Sequence, residues 1–289
     1  MLILDTDIGS DVDDAMALGV VLGSPELAPF AVTTVYGDTT LRAQLTTRLL
    51  SLSAGAHPTH IVPGRTETLS GKPVWWAGHE GKRYSDLSRE AVTAGEDAVA
   101  FITRIAAEHP GEVDLLAIGP LTNVAECLNT DPDFAVNLRR LVIMGGDFRV
   151  GAARVAEHNI ASDITAAQRV FDSDLEIAVG GLDLTMQLTV GRSIVDEIAS
   201  SGPFGAALAE EIAEWWTFLD HSENTPHDPI LAIYLARPDL FNTVRARVTI
   251  SDDGITHEHA TENGTVQIVQ GMKRETVLEE IVQRIRAAG

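Results

Sequence analysis

Leu2-Ile3-Leu4-Asp5-Thr6-Asp7-Ile8-Gly9-Ser10-Asp11-Val12-Asp13-Asp14-Ala15-Met16-Ala17-Leu18 reads as a short apolar strand, a turn and the opening of a helix, with five aspartates delivered into the turn. Carboxylates that close repel and raise one another's pKa, so they cannot all stay ionised in a partly buried turn without a positive partner. A divalent metal is the simplest partner. All the candidate donors are oxygens, with no cysteine or histidine among them, which suits a hard cation such as Ca²⁺ or Mg²⁺ better than Zn²⁺. The other reading is an acidic helix start, in which aspartates cap free N–H groups and favour the dipole. Asp11 or Asp13 alone fits that reading, but capping needs one or two acids rather than five.

Outward from this turn, strand and helix patterns alternate. Ala15 to Leu22 is apolar at helical spacing, Ser24-Pro25-Glu26 ends it, and Phe30 to Tyr36 is the next strand. Tyr36-Gly37-Asp38 closes that strand and starts a helix through Arg42, Leu45, Leu49 and Leu52. His60 to Gly64 is a short strand and turn, and Leu69 to Leu87 a loop bearing Trp75, Trp76, His79 and Tyr84. A helix over Ser88 to His109 precedes the strand Val113 to Ile118, which flows into Gly119-Pro120-Leu121-Thr122-Asn123. Leu138 to Met144 is a strand ending at Gly145-Gly146-Asp147, and Leu175 to Val179 another. Ser193 to Asp220 reads as helical, Phe241 to Gln270 as antiparallel strands turning at Asp252-Asp253-Gly254 and Glu262-Asn263-Gly264, and Lys273 to Ala287 as a closing amphipathic helix. The pattern predicts an α/β fold: an open, mostly parallel sheet flanked by helices, with a small antiparallel C-terminal addition. It shows no linker or repeat, so one domain over residues 1–289 is the economical reading.

Lys and Arg number 21 against 42 Asp and Glu, a formal charge of −21, which argues against a nucleic-acid backbone or an anionic membrane as partner. A neutral small molecule or a cation is easier to accommodate. The single cysteine, Cys127, excludes an internal disulfide framework and suits a reducing compartment. With no signal-like segment and no stretch of membrane-spanning length, a cytoplasmic protein is expected.

Further candidates stand at strand ends, where parallel α/β sheets bind ligands. Asp38 faces the same crevice as Asp7 or caps its helix. Thr122 offers a carbonyl or hydroxyl to a metal, or caps a helix with Asn123. Gly145 and Gly146 permit close approach of backbone to a ligand. Glu157 and Asn159 point the same way if extended and suit hydroxyl recognition. His227 and Asp228 open an apolar helix as a second compact polar signal, supplying the further ligands that the acidic turn needs. One of Trp215 and Trp216 is expected in the core and the other at a cleft.

Taken in order, the acidic opening, Gly119-Pro120-Leu121-Thr122-Asn123, Met144-Gly145-Gly146, Glu157-His158-Asn159 and His227-Asp228-Pro229 resemble the inosine-uridine nucleoside hydrolases over nearly the whole chain. The resemblance implies hydrolysis of the N-glycosidic bond of ribonucleosides, with one Ca²⁺ at the carboxyl ends of the strands, and a homodimer or homotetramer. By position, Asp7, Asp14, Asp228 and the Thr122 carbonyl would hold the calcium. Asp7 would also be general base on the metal-bound water, Asp13, Asp38, Glu157 and Asn159 would bind ribose, and His227 would lie by the leaving base as a candidate proton donor. Three features depart from the family pattern. The spacing from Asp7 to Asp13-Asp14 is longer, so Asp11 competes for one of these roles; Asp38 and Gly151 stand where asparagines are expected. Two other classes remain: a calcium-dependent nucleoside- or sugar-binding protein without turnover, and a haloacid-dehalogenase-like phosphatase. Against the phosphatase, Ile8-Gly9-Ser10 breaks its motif and no lysine stands out near the site.

Overall fold

A computed structural model of the chain describes residues 1–27, 29–54, 60–150, 153–261 and 263–289. β1 (Leu2–Thr6) leads to α1 (Asp13–Leu22), β2 (Pro29–Thr34) to α2 (Thr39–Leu52), and β3 (His60–Pro63), after a long loop, to α3 (Ala98–Glu108). β4 (Asp114–Ala117) precedes α4 (Thr122–Thr130) and α5 (Phe134–Asn137); β5 (Arg140–Met144) precedes α6 (His158–Ser162) and α7 (Ile164–Phe171); β6 (Ile177–Gly180) precedes α8 (Leu182–Thr185). A two-stranded ribbon, β7 (Val190–Gly191) with β8 (Glu223–Asn224), brackets α9 (Arg192–Ala199) and α10 (Pro203–Leu219). The chain ends with α11 (His227–Ala236), β9 (Phe241–Ile250), β10 (Thr256–Ala260), β11 (Val266–Met272) and α12 (Arg274–Ala287).

Among the described residues the main sheet has the order β10-β9-β11-β6-β5-β4-β1-β2-β3. Strands β3 to β11 in that order run parallel, and β9 is antiparallel to both of its neighbours. Both faces of the parallel part are covered, so its strands are mainly apolar, and the polar residues they carry, such as Asp5, Thr33 and Asp114, are buried and hydrogen-bonded. Leu2 and Leu4 of β1, Leu116 of β4 and Val142 of β5 enter one core with α1 and α11, while Ile3, Leu115 and Leu141 enter the other with α3, α4 and α7. This two-residue alternation buries β1 between the two cores. The strand order reverses between β1 and β4, and crevices at the carboxyl ends open at such a switch point.

Three expectations are corrected. The helix expected over Ser88 to His109 is confined to Ala98–Glu108: Gly95 takes φ +101°, and Asp97 starts the helix by accepting from Ala100 N at 3.0 Å. The helix over Ser193 to Asp220 is broken between α9 and α10, where Gly202 takes φ +136° and Pro203 begins the second helix. Glu262-Asn263-Gly264 does not join paired strands, because β11 lies across β9 from β10. The chain crosses the middle of β9 so closely that a Cβ on Gly264 would meet the Ala246 oxygen at 2.1 Å; Glu262 itself lies outside the described residues.

Candidate active site

At the switch point a cavity of about 360 Å³ opens beyond the carboxyl ends of β1, β4 and β5, within the size range of small-molecule sites. The turn after β1 contributes Asp7, Ser10, Asp11, Asp13 and Asp14; the strand ends Ile118 and Met144; the start of α6 Glu157, His158 and Asn159; and the start of α11 His227 and Asp228. Trp75 and Trp215 form side walls.

Asp13, Asp14 and Asp228 are all buried, and one carboxylate oxygen from each lies within 4.8 Å of the others. They sit in the first turns of α1 and α11, two packed helices whose N-termini carry no side-chain cap. Those free N–H groups and both dipoles favour negative charge there. Burial nevertheless drives all three carboxyls well above the usual range, and their mutual repulsion adds to it. Burial likewise raises Asp7, against the pull of Arg42 and His158, and takes Asp11 to about 6. Among the described residues no Lys or Arg lines the cavity. An all-oxygen group this buried and uncompensated fits a hard divalent cation.

The turn is braced from below. Arg42, 1% exposed, spends its guanidinium on carbonyls: Nε donates to Tyr36 O at 2.7 Å, and Nη1 to Ile8 O at 2.8 Å and to Asp7 O. Its charge thus lies under the turn, ion-paired to none of the carboxylates. Ser10 is held by Glu80, which accepts its hydroxyl at 2.8 Å, and by His79 Nε2 donating to its carbonyl at 2.9 Å. Asp5 is not at the cavity. Its Oδ1 accepts from Thr33 Oγ1 at 2.6 Å and Asn123 Nδ2 at 2.8 Å, and burial takes it to about 7. Gly119 is needed for a close approach: a Cβ there would meet Asp7 Oδ1 at 2.7 Å.

The opposite wall is also built from strand ends. Glu157 caps α6, accepting from Gly146 N at 3.0 Å, Asn159 N at 2.9 Å and Ile160 N at 3.2 Å. Asn159 is not extended, as the alternation suggested, but lies in the first turn of α6. Its Nδ2 donates to Ile118 O at 2.8 Å and Met144 O at 3.2 Å, tying the ends of β4 and β5 together. His227 borders the cavity with Nδ1 2.6 Å from Thr185 Oγ1, and burial pushes its ring down to about 4.

The structure therefore brings together Asp7, Asp11, Asp13, Asp14, Glu157, Asn159, His227 and Asp228. It does not bring in Asp38, which is exposed and caps α2, accepting from Leu41 N at 2.9 Å; the helix start there claims the side chain. Nor does it bring in Thr122, which is buried in the first turn of α4, off the cavity lining, with its hydroxyl donating to Asp163 Oδ2 at 2.7 Å. Gly151 lies outside the described residues. Trp215 reaches the cavity, whereas Trp216 packs inside with Nε1 donating to Asn224 Oδ1 at 3.0 Å. Sequence reasoning missed His158, Thr185 and the braces Arg42, His79 and Glu80. Two of them gave a signal: His158 stands inside the motif Glu157-His158-Asn159, and Arg42 is a charge on the apolar stripe it shares with Leu45 and Leu49.

Comparison with known proteins agrees over the same span. The family model described as inosine-uridine preferring nucleoside hydrolase matches residues 2–279. Uridine nucleosidase 1 of Arabidopsis thaliana is 32% identical over 286 residues, covering 94% of this chain and 83% of that protein. The inosine-uridine preferring nucleoside hydrolase of Leishmania major is 30% identical over 266 residues, covering 88% and 84%. Among solved structures, the purine-preferring ribonucleoside hydrolase from Gardnerella vaginalis superposes with a TM-score of 0.83 at 25% identity, covering 99% of this chain and 98% of that one.

Proposed function

The chain belongs to the inosine-uridine preferring nucleoside hydrolase family and is a glycosidase of ribonucleosides; from that premise we propose how its own residues perform the cleavage. The observation that carries the reading is the buried, uncompensated group Asp13, Asp14 and Asp228 at the cavity floor. We assign it to Ca²⁺, with Asp14 and Asp228 as ligands, Asp7 completing the set, and Asp13 or Asp11 shared between cation and ribose. When bound, the ion would orient the attacking water and the ribose hydroxyls and supply the positive charge the carboxylates need.

N-glycosidic cleavage passes through a sugar with oxocarbenium character, which carboxylates near the ring stabilise. Asp7, its backbone clamped by Arg42, takes the proton of the attacking water. Glu157 and Asn159, each anchored to backbone, hold ribose hydroxyls. His227 is uncharged near neutrality and meets the leaving base as an N–H donor. Trp75 and Trp215 line the cavity and are its aromatic candidates for contact with the base. The relatives named above differ in the base they prefer, and the base this enzyme prefers is for a substrate panel to decide. A reducing compartment and a homo-oligomer complete the proposal; among the described residues no helix is long and apolar enough to cross a membrane.

The test is release of reducing sugar from a panel of purine and pyrimidine nucleosides, with added Ca²⁺ and again after chelation. Ribose release that chelation removes supports the reading. Release indifferent to chelation overturns the calcium assignment, and nucleoside binding without release would make the chain a binding protein.

A further inference from the structure

We propose that Thr185 is a positioning residue that fixes the tautomer of His227, so that the ring turns an Nε2–H, rather than a lone pair, toward the leaving base. The proposal rests on the reading that places His227 beside that base.

Thr185 is the last residue of α8 and is fully buried, and its Oγ1 lies 2.6 Å from His227 Nδ1. A helical threonine commonly bonds to the carbonyl four residues back. Here that carbonyl, Gly181 O, takes the Thr185 N–H at 3.0 Å, and the hydroxyl turns to the imidazole instead. The approach is built into the packing of α8 on α11. Gly180, at the end of β6, has no room for a side chain: a Cβ would meet Leu231 Cδ1 of α11 at 2.9 Å and Leu184 Cδ2 of α8 at 3.0 Å.

Hydrogen-bond balance then decides where the ring proton sits. If Nδ1 carried it, the Thr185 oxygen would accept, and the hydroxyl hydrogen would be buried with no acceptor, since Oγ1 has no other partner among the described residues. If the hydroxyl donates, Nδ1 accepts and Nε2 keeps its hydrogen. Nε2 has no partner among the described residues, on a ring that borders the cavity. An N–H there stabilises a base leaving with growing negative charge, whereas a lone pair would repel it.

The test compares Thr185→Val, which keeps the shape and removes the hydroxyl, with Thr185→Ser, which keeps the hydroxyl. The readouts are the nitrogen-15 spectrum of the His227 ring and the rates on natural nucleosides and on para-nitrophenyl riboside, whose leaving group needs no such donor. In the valine variant we expect loss of the pure Nε2–H signature. Its kcat on nucleosides should fall about tenfold or more at little-changed KM, with the activated riboside within about twofold, because one transition-state hydrogen bond is weakened. Serine should restore both. An unchanged ring spectrum, or equal loss on both substrate types, overturns the proposal. His227→Ala separates the underlying reading: equal loss on both substrates there would remove His227 from the leaving base, while the spectrum alone still judges what Thr185 does to the ring.

Discussion

Two sets of buried aspartates in this molecule behave in opposite ways. Asp114, at the start of β4, is 5% exposed and is forked by two arginines, Arg139 Nε at 2.7 Å and Arg140 Nε at 3.0 Å from its Oδ1. Asp147, 0% exposed, accepts from Arg149 Nη2 at 2.6 Å and from Val155 N at 2.9 Å. Although burial opposes them, these partners hold Asp114 below the usual carboxylate range and Asp147 at about 2. Asp13, Asp14 and Asp228 are as little exposed yet pushed far the other way, and Arg42, beneath the turn, is given to backbone carbonyls. Partners, not burial, separate the two sets. Structural carboxylates bring their cations with them in the sequence, whereas those of a site leave room for a cation from solution.

The comparison breaks most sharply at Asp7. Asp7→Ala should lower turnover about a thousandfold or more, read as initial rates on a good nucleoside, because it removes the proposed base. Asp114→Asn should leave turnover within a factor of about two. Next comes the cation itself: Asp228→Asn should weaken Ca²⁺ binding by about tenfold to a hundredfold in a calorimetric titration, by loss of one charged ligand, while Asp147→Asn leaves it unchanged.

The pH dependence of stability sharpens the contrast. A carboxyl whose folded pKa is raised holds its proton in the folded state where the unfolded chain has lost it, so stability falls as pH climbs from about 4 toward the folded value. Asp11, at about 6, and Asp5, at about 7, mark that window, and the cation-site carboxyls extend it upward. His227, lowered to about 4, works in the opposite sense up to its ordinary value. The cluster outnumbers it, so the metal-free protein should melt lower at pH 8 than at pH 5.5. Excess Ca²⁺ should restore more stability at pH 8, with about 2.7 kcal/mol expected at a hundred times Kd. A melting temperature that rises with pH in the chelated protein would contradict this. The smallest effect is expected at Asp114→Asn, a loss of about 1–3 kcal/mol in denaturant unfolding with no response to Ca²⁺.

Much of this was legible in the chain before folding. The turn after β1 announces itself because five acids in ten residues have no local explanation, and His227-Asp228 because polar residues open an apolar helix. The central sheet was readable because strands buried on both faces are short apolar runs. What stayed hidden depends on long-range contacts. Asp38 has the same local signature whether it caps a helix or faces a crevice, and only its exposure decides. The pairing of Thr185 with His227, 42 residues apart, is set by how α8 packs on α11. Arg42 shows both sides: its place on an apolar stripe was visible, but the carbonyls it would meet were not.

If the uncompensated carboxylates hold a cation on which glycosidic cleavage depends, turnover must follow occupancy of that site. The most direct measurement titrates chelator-stripped protein with Ca²⁺ while following ribose release from its best nucleoside, with bound calcium measured at each point. Release should be negligible at the start and should rise in proportion to bound calcium up to one ion per chain. Full release from the stripped protein, or a filled site with no release, would contradict that dependence.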